Sequence, residues 1–273
     1  MAADEPTEEA ARKTLRGLAN GERLKPMLRR LLMDALMHED RSDRPRDPDA
    51  LASDAARSAT EWIGATPEER EKVLRDLLEL ADALRPVPER ESSLPEKVLA
   101  VHQSLAEADI PHAVGGALAV GYYGEPRSTL DIDINVFIPV DQWPRTGDAL
   151  TALDLDLEIA EGEIENAEEL RLDWAPNSLH LFFACDPLHE QMRLDVRSVP
   201  FNGDTIPIVA PEHLIIRKAI LDRPKDWYDI EQILVATSPL DLEEVASWLQ
   251  RMTGEDDPRM QKLRELETAL CLR

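Results

Sequence analysis

Asp131 and Asp133 stand two residues apart in a strictly alternating run, interleaved with Leu130, Ile132, Ile134 and Val136. A strand repeats its side-chain direction every two residues, so both carboxylates leave the same face of the sheet. Two like charges held that close repel unless something positive sits between them, and a divalent cation is the simplest candidate. Upstream, a short apolar run ends in Gly115-Gly116, where a helix-like segment begins. Glycines let the backbone approach an anion, and the free N–H groups at a helix start face it. Phosphates beside two carboxylates call for Mg²⁺, which takes one or two carboxylates together with substrate phosphate oxygens.

A third acid extends the set. In Arg193-Leu194-Asp195-Val196-Arg197 the alternation predicts a strand that turns Arg193, Asp195 and Arg197 to one side. If that strand lies beside the Asp131 strand, Asp195 joins the pair. Three carboxylates hold two divalent ions, one activating a hydroxyl nucleophile and one stabilising nucleotide phosphates.

The elements that must position these residues follow from hydrophobic spacing and stop signals. Residues 1–93 read as helices and linkers, with helices over 7–19, 22–37 and 49–63. Thr66-Pro67-Glu68-Glu69 is a capping box with proline at the first helical position, and opens a fourth. No chemical motif falls in this region. Arginines 29, 30, 41, 44 and 46 cluster there, but Asp40, Asp43 and Asp47 sit among them. Residues 94–210 read as a mixed catalytic region: a helix to about 108, a strand, the glycine turn, a helix, the Asp131 strand and a further helix near 141–153. An acidic surface stretch follows at 161–169, then strands at 178–185, 191–199 and 205–209. Residues 211–273 return to helix, over 211–221, 225–235, 239–252 and 257–270, and form a C-terminal cap. The predicted class is α+β.

The chain has 273 residues, 43% of them hydrophobic and only 4% aromatic, so aliphatic side chains must supply most of the core. Its 55 acidic and 31 basic residues leave a net charge of -24, which opposes non-specific adhesion to nucleic acid or anionic membrane. A nucleic-acid substrate would have to be reached through a local basic patch. Cys185 and Cys271 lack metal-ligand spacing and fit a reducing cytosol. No signal peptide is evident at the N-terminus, and no apolar run approaches the ~20 residues that span a bilayer. The expected location is the cytoplasm, with no membrane partner.

Gly115-Gly116, Asp131-x-Asp133 and a later Asp195 together resemble the polymerase-β-like nucleotidyltransferase superfamily. The segments Pro211-Glu212-His213-Leu214-Ile215-Ile216-Arg217-Lys218 and Pro224-Lys225-Asp226-Trp227-Tyr228-Asp229-Ile230 are similar to its AbiEii/MenT-like toxin branch. The resemblance covers about residues 98–249. It implies the nucleotidyltransferase fold, a small mixed sheet with flanking helices. It also implies transfer of a nucleoside monophosphate from an NTP to an acceptor hydroxyl, with two Mg²⁺ ions, or Mn²⁺ in their place. By position, Gly115 and Gly116 would cradle the triphosphate, Asp131 and Asp133 would bind the metals, and Asp195 would hold the catalytic ion. Lys218 would meet the triphosphate, and Asp226 or Asp229 would orient Lys218 or the acceptor. Arg127, just before the acid strand, is a further nucleotide contact, with a surface charge as the plain alternative. One departure stands out: Ala117 occupies a place where many relatives carry serine or threonine. The branch points to RNA, a tRNA 3′ end, as acceptor and to a toxin with a cognate antitoxin protein. A small-molecule acceptor such as an aminoglycoside, a protein acceptor, and a non-catalytic nucleotide-binding module are the alternatives.

Overall fold

The computed structural model describes residues 66–72, 74–75, 92–127, 129–153, 155–157 and 168–270. The helices predicted at 7–19, 22–37 and 49–63, most of the acidic stretch and Cys271 lie outside the described residues. Of the fourth predicted helix, residues 67–72 are helical. Its capping box closes in both directions: Thr66 N donates to Glu69 Oε2 (2.9 Å) and Glu69 N to Thr66 Oγ1 (3.2 Å).

Helix α1 (Leu94–Glu107) opens with a second capping box, Ser93 N donating to Glu96 Oε2 at 2.7 Å, and buries Leu94, Val98, Val101 and Leu105 at helical spacing. The chain then enters strand β1 (His112–Val114), turns at Gly115 into helix α2 (Gly116–Tyr123) and returns as strand β2 (Asp131–Val136). A 3₁₀ turn at Val140–Gln142 leads to helix α3 (Trp143–Leu150). Strands β3 (Glu169–Trp174) and β4 (Asn177–Phe183) pair antiparallel, followed by helix α4 (Pro187–Leu194) and a second antiparallel pair, β5 (Arg197–Phe201) and β6 (Asp204–Ile208). Helices α5 (Pro211–Leu221), α6 (Pro224–Ala236), α7 (Leu242–Thr253) and α8 (Pro258–Ala269) complete the described chain.

The six strands form one mixed sheet in the order β3-β4-β2-β1-β6-β5. β2 runs parallel to β4 and antiparallel to β1, and β1 runs parallel to β6. Helix α2 lies against β2 and is itself covered by α5 and α6, while α1 packs on α3 and reaches β1 and β6. The core is aliphatic, as composition predicts: Val114, Ile132, Ile134, Val136, Leu179, Leu181 and Ile208 are fully buried in the strands. A buried lysine ties α1 to the far hairpin. Lys97 Nζ donates to Trp174 O, Ala175 O and Asn177 Oδ1 at 2.9–3.1 Å, and Asn177 Nδ2 donates to Leu130 O, immediately before β2. Among the described residues no helix is long and apolar enough to cross a membrane.

The α+β class and the mixed sheet with flanking helices stand as expected. Three local expectations do not. No strand is predicted at 169–174, yet Leu170, Leu172 and Trp174 are buried and alternate with exposed Glu169, Arg171 and Asp173. The strand predicted over 191–199 begins only at Arg197, because residues 187–194 are helix α4. Asp186 caps that helix, accepting from Leu188 N at 2.8 Å and His189 N at 3.2 Å, with Pro187 at its first position. Helix α7 starts at Leu242 rather than at 239, since the Asp241 carboxylate accepts from Glu244 N at 2.9 Å.

Candidate active site

Strand β2 turns Ile132 and Ile134 into the core and leaves Asp131 and Asp133 on the other face, with Asp131 at its exposed end. Antiparallel pairing sets Val114 opposite Ile134, so the chain leaves β1 at Gly115 directly beside Asp133. Gly115 N continues the ladder by donating to Asp133 O at 2.8 Å. Gly116 has φ +54°, a conformation that an L side chain adopts only with strain. A Cβ on Gly116 would lie 2.5 Å from Asp133 Cγ and closer still to Oδ2. At Gly115 it would meet Asn135 Nδ2 at 2.6 Å. Gly116 is therefore required by space, while a side chain at Gly115 would have to displace the Asn135 amide: the Asp133 carboxylate sits on the first turn of α2, where the helix start favours negative charge.

Burial pushes the Asp133 carboxyl above the usual carboxylate range, and the charge of Asp131 adds to the rise. His180, Lys218 and Arg127 act in the opposite sense, which places all three in the electrostatic reach of the acid pair. Among the described residues, no lysine or arginine nitrogen forms an ion pair with either acid; the His180 ring approaches Asp131, Nε2 to Oδ1 at 3.9 Å. Two carboxylates on one face, one of them desolvated and neither neutralised by a direct cation, suit a hard divalent ion. The Asp131 and Asp133 carboxylates fit Mg²⁺.

Strand β4 supplies the other wall. It pairs Ser178 with Asp131 and His180 with Asp133. Ser178 Oγ donates to Asp131 Oδ1 at 2.7 Å. The His180 ring lies between Ser178 Oγ (Nε2, 3.2 Å) and the Glu169 carboxylate of β3 (Nδ1, 2.6 Å). Ser178, His180 and Glu169 are thus site residues that the sequence reading does not assign. The signal was present in the alternation of 169–174 and 177–183, but which strand lies beside β2 is a long-range fact that alternation does not carry.

Helix α5, the N-cap of α6 and the connection before β2 bring the basic residues. Lys218 is 6% exposed, with Nζ 2.6 Å from Asp229 Oδ2 and 3.7 Å from Asp226 Oδ1. Both acids therefore face Lys218, with Asp229 the closer. Arg127 forks onto Asp229 at 3.3 Å through Nε and Nη2, and Arg223 forks onto Asp226 at 2.6 and 3.1 Å. Three basic groups against two acids leave one positive charge over, close to Asp133. Arg223 is a fourth unassigned member of the site; its guanidinium is held above its ordinary value first by Asp226, with Asp133 and Glu169 contributing.

Asp195 is not brought to this site. It is the C-cap residue of α4, and β5 lies at the sheet edge with β6 and β1 between it and β2. Its carboxylate accepts from Gln191 Nε2 at 2.7 Å and faces His213 and Glu244 instead. Ala117 is buried in the first turn of α2 and offers no hydroxyl. Trp227 and Tyr228 are engaged within the fold, donating to Asp222 Oδ1 (2.7 Å) and Glu125 Oε2 (3.1 Å). His112 is buried where β1 begins, its Nε2 2.8 Å from His102 Nδ1.

No protein-family model matches the chain, and no curated relative matches it. Among solved structures, the chain is similar to the antibiotic-resistance factor ANT(2'')-Ia in solution, at 14% identity over 66% of this chain and 97% of that one, with TM-score 0.42. A crystal structure of the same factor with adenylyl-2''-tobramycin matches at 15% identity over 57% and 95%, with TM-score 0.41. An antigenic nucleotidyltransferase-like protein from Paracoccidioides brasiliensis matches at 17% identity over 63% and 92%, with TM-score 0.41. Likenesses of that size are too slight to carry an argument, and the functional reading rests on the geometry of the site itself.

Proposed function

We propose that the chain is a nucleotidyltransferase, moving a nucleoside monophosphate from an NTP to an acceptor hydroxyl and releasing pyrophosphate. The observation that carries this reading is the juxtaposition of the Asp131/Asp133 pair with the glycine start of α2, beside the net-positive cluster of Lys218, Arg127 and Arg223. In the reaction the acceptor oxygen bonds to the α-phosphorus, the α–β phosphoanhydride bond breaks, and the electron pair leaves on pyrophosphate.

Each residue has a part. The first N–H groups of α2 face the phosphates, where Gly115 and Gly116 keep side chains out of the way. The surplus charge of the Lys218 cluster receives the β- and γ-phosphates, with Lys218 itself held in place by Asp229 and Asp226. Asp131 and Asp133 would hold Mg²⁺, or Mn²⁺ in its place, which would supply charge neutralisation to the triphosphate and lower the pKa of the acceptor hydroxyl. Ser178 fixes the Asp131 carboxylate through its 2.7 Å bond. His180, braced by Glu169, stands beside the acid pair and takes the acceptor proton. Holding the reactants in line is the larger share of such catalysis.

The acceptor in this reading is RNA, a tRNA 3′ end, and the setting is a cytoplasmic toxin with a cognate antitoxin. Support for this finer step comes from Lys218, Asp226 and Asp229, which carry the resemblance to the AbiEii/MenT-like branch and meet in one buried cluster.

The test is purified protein with Mg²⁺ and each α-labelled NTP, offered total RNA, with aminoglycosides and bulk protein in parallel. RNA should be labelled in a Mg²⁺-dependent way, and an Asp131→Ala/Asp133→Ala variant should lose at least about 10²-fold in rate. No transfer with any NTP, or equal transfer by the variant, overturns the enzyme. Labelling of an aminoglycoside or a protein alone overturns the RNA acceptor.

A further inference from the structure

Asp195, displaced from the acid pair, has its own surroundings. It ends α4, while His213 lies in the first turn of α5 and Glu244 in the first turn of α7. One ligand-type atom from each of the three falls within 4.8 Å of the others. His213 is 1% exposed, and neither of its ring nitrogens has a hydrogen-bond partner. Buried polar nitrogens are nearly always paired, so an imidazole left bare on both sides points to a partner of another kind.

The distances say which kind. His213 Nε2 is 3.6 Å from Asp195 Oδ2 and 3.9 Å from Glu244 Oε1. Those separations are too long for hydrogen bonds. They are close to the spacing of two ligands on one ion: bonds of about 2.1 Å at a tetrahedral angle set donor atoms about 3.4 Å apart. A settling of a few tenths of an ångström completes the triangle. The Asp195 carboxylate is already oriented by Gln191, as metal-bound carboxylates are by their outer partners. Asp241 fixes the start of α7 and with it the position of Glu244. Two formal negative charges outweigh the partial positive charge at the starts of α5 and α7.

We propose that Asp195, His213 and Glu244 form a second divalent-metal site that takes a transition ion, Zn²⁺ foremost, and fastens the end of α4 to α5 and α7. A neutral imidazole with two carboxylates is the ligand set of Zn²⁺ rather than of Mg²⁺, which prefers oxygen alone. The inference is independent of nucleotidyl transfer, since none of the three residues touches the Asp131/Asp133 site.

Two measurements on the full chain test it. Crystals soaked in ZnCl₂ and measured across the zinc absorption edge should show an anomalous peak within bonding distance of all three side chains. Calorimetric titration of chelator-stripped protein with ZnCl₂, in excess Mg²⁺, should show a site that Glu244→Gln and His213→Ala each weaken by at least tenfold, since even outer-shell changes cost about that much. Asp131→Asn/Asp133→Asn and Cys185→Ala should leave it unchanged. Glu244→Gln keeps the shape of the side chain, so it decides the matter if His213→Ala does not fold. No peak at these residues, displacement by Mg²⁺, or unweakened binding by folded Glu244→Gln overturns the site.

Discussion

Replacing Gly116 with alanine tests the joint between the glycine turn and the acid pair. Two costs arise, and the structure separates them. The first is conformational: φ +54° costs an L residue roughly 1–2 kcal/mol. The second is spatial: the new Cβ would sit 2.5 Å from Asp133 Cγ, where ordinary contact begins at 3.4 Å, so the carboxyl must retreat by at least about 1 Å and Oδ2, closer still, by more. Overpacking of that kind adds about 1–3 kcal/mol. The whole effect is then about 2–5 kcal/mol, a fall in Tm of the order of 10 °C. A double-mutant cycle with Asp133→Gly isolates the second part, because that change removes every Asp133 atom the Cβ would meet. Urea denaturation of the four proteins should show Gly116→Ala costing about 1–2 kcal/mol in the Asp133→Gly background and about 1–3 kcal/mol more in the native one. If the two costs agree within about 0.5 kcal/mol, Asp133 does not rest on the glycine turn and the placement of the site fails. In the transfer assay, a 1 Å displacement should lower the rate by about 10²-fold, beyond any loss of folded protein.

Removing the Lys218 charge leaves Asp229 and Asp226 buried with one cation fewer; Lys218→Met should cost about 3–5 kcal/mol in urea denaturation, and Lys218→Met/Asp229→Asn less than the single change. Asp133 carries its charge against burial and against Asp131, so without metal Asp133→Asn should raise Tm at pH 7 while ending transfer; a lower Tm contradicts the electrostatics given for the site. Burial depresses the His112 pKa from 6.5 to about 4, so its contribution to stability is complete above pH 6.5 and is lost as the pH falls towards 4. About 3 kcal/mol should disappear over that window in denaturation curves taken pH by pH, and His112→Gln should flatten the loss.

What the sequence discloses about this site divides by range. Asp131, Asp133, Gly115 and Gly116 are legible because each is fixed by local physics, a two-residue period or a turn that admits no side chain. Asp195 shows the limit of the same rule. Leu194 and Val196 alternate around it, but Leu194 is 62% exposed and Val196 only partly buried, so little burial stands behind the pattern. The competing signal is Asp186-Pro187, whose capping of α4 decides the local structure. Ser178, His180 and Glu169 escape for a different reason: each acquires its meaning from the pairing of β4 with β2, 47 residues apart in sequence. Lys218, Asp226 and Asp229 are recognisable as a pattern, yet their ion pairs depend on how α5 and α6 cross.

The antiparallel register of β1 and β2 acts as a ruler between the glycine turn and the acid pair. Val114 opposite Ile134 is what sets Gly116 against Asp133. A slip of one residue would present Ile132 or Ile134 to the glycine turn and drive both aspartates into the core. It would also forfeit the burial of Ile132, Ile134 and Val136, at roughly 1.5–3 kcal/mol each. Length changes are therefore unequal in their effects. An extra residue in the part of the α2–β2 connection that follows Arg127 leaves the Arg127–Asp229 pair in place, whereas one within 131–134 erases the spacing between the glycine turn and the acid pair. Variation in length among natural or designed versions of this chain should collect in that connection and stop abruptly at Asp131.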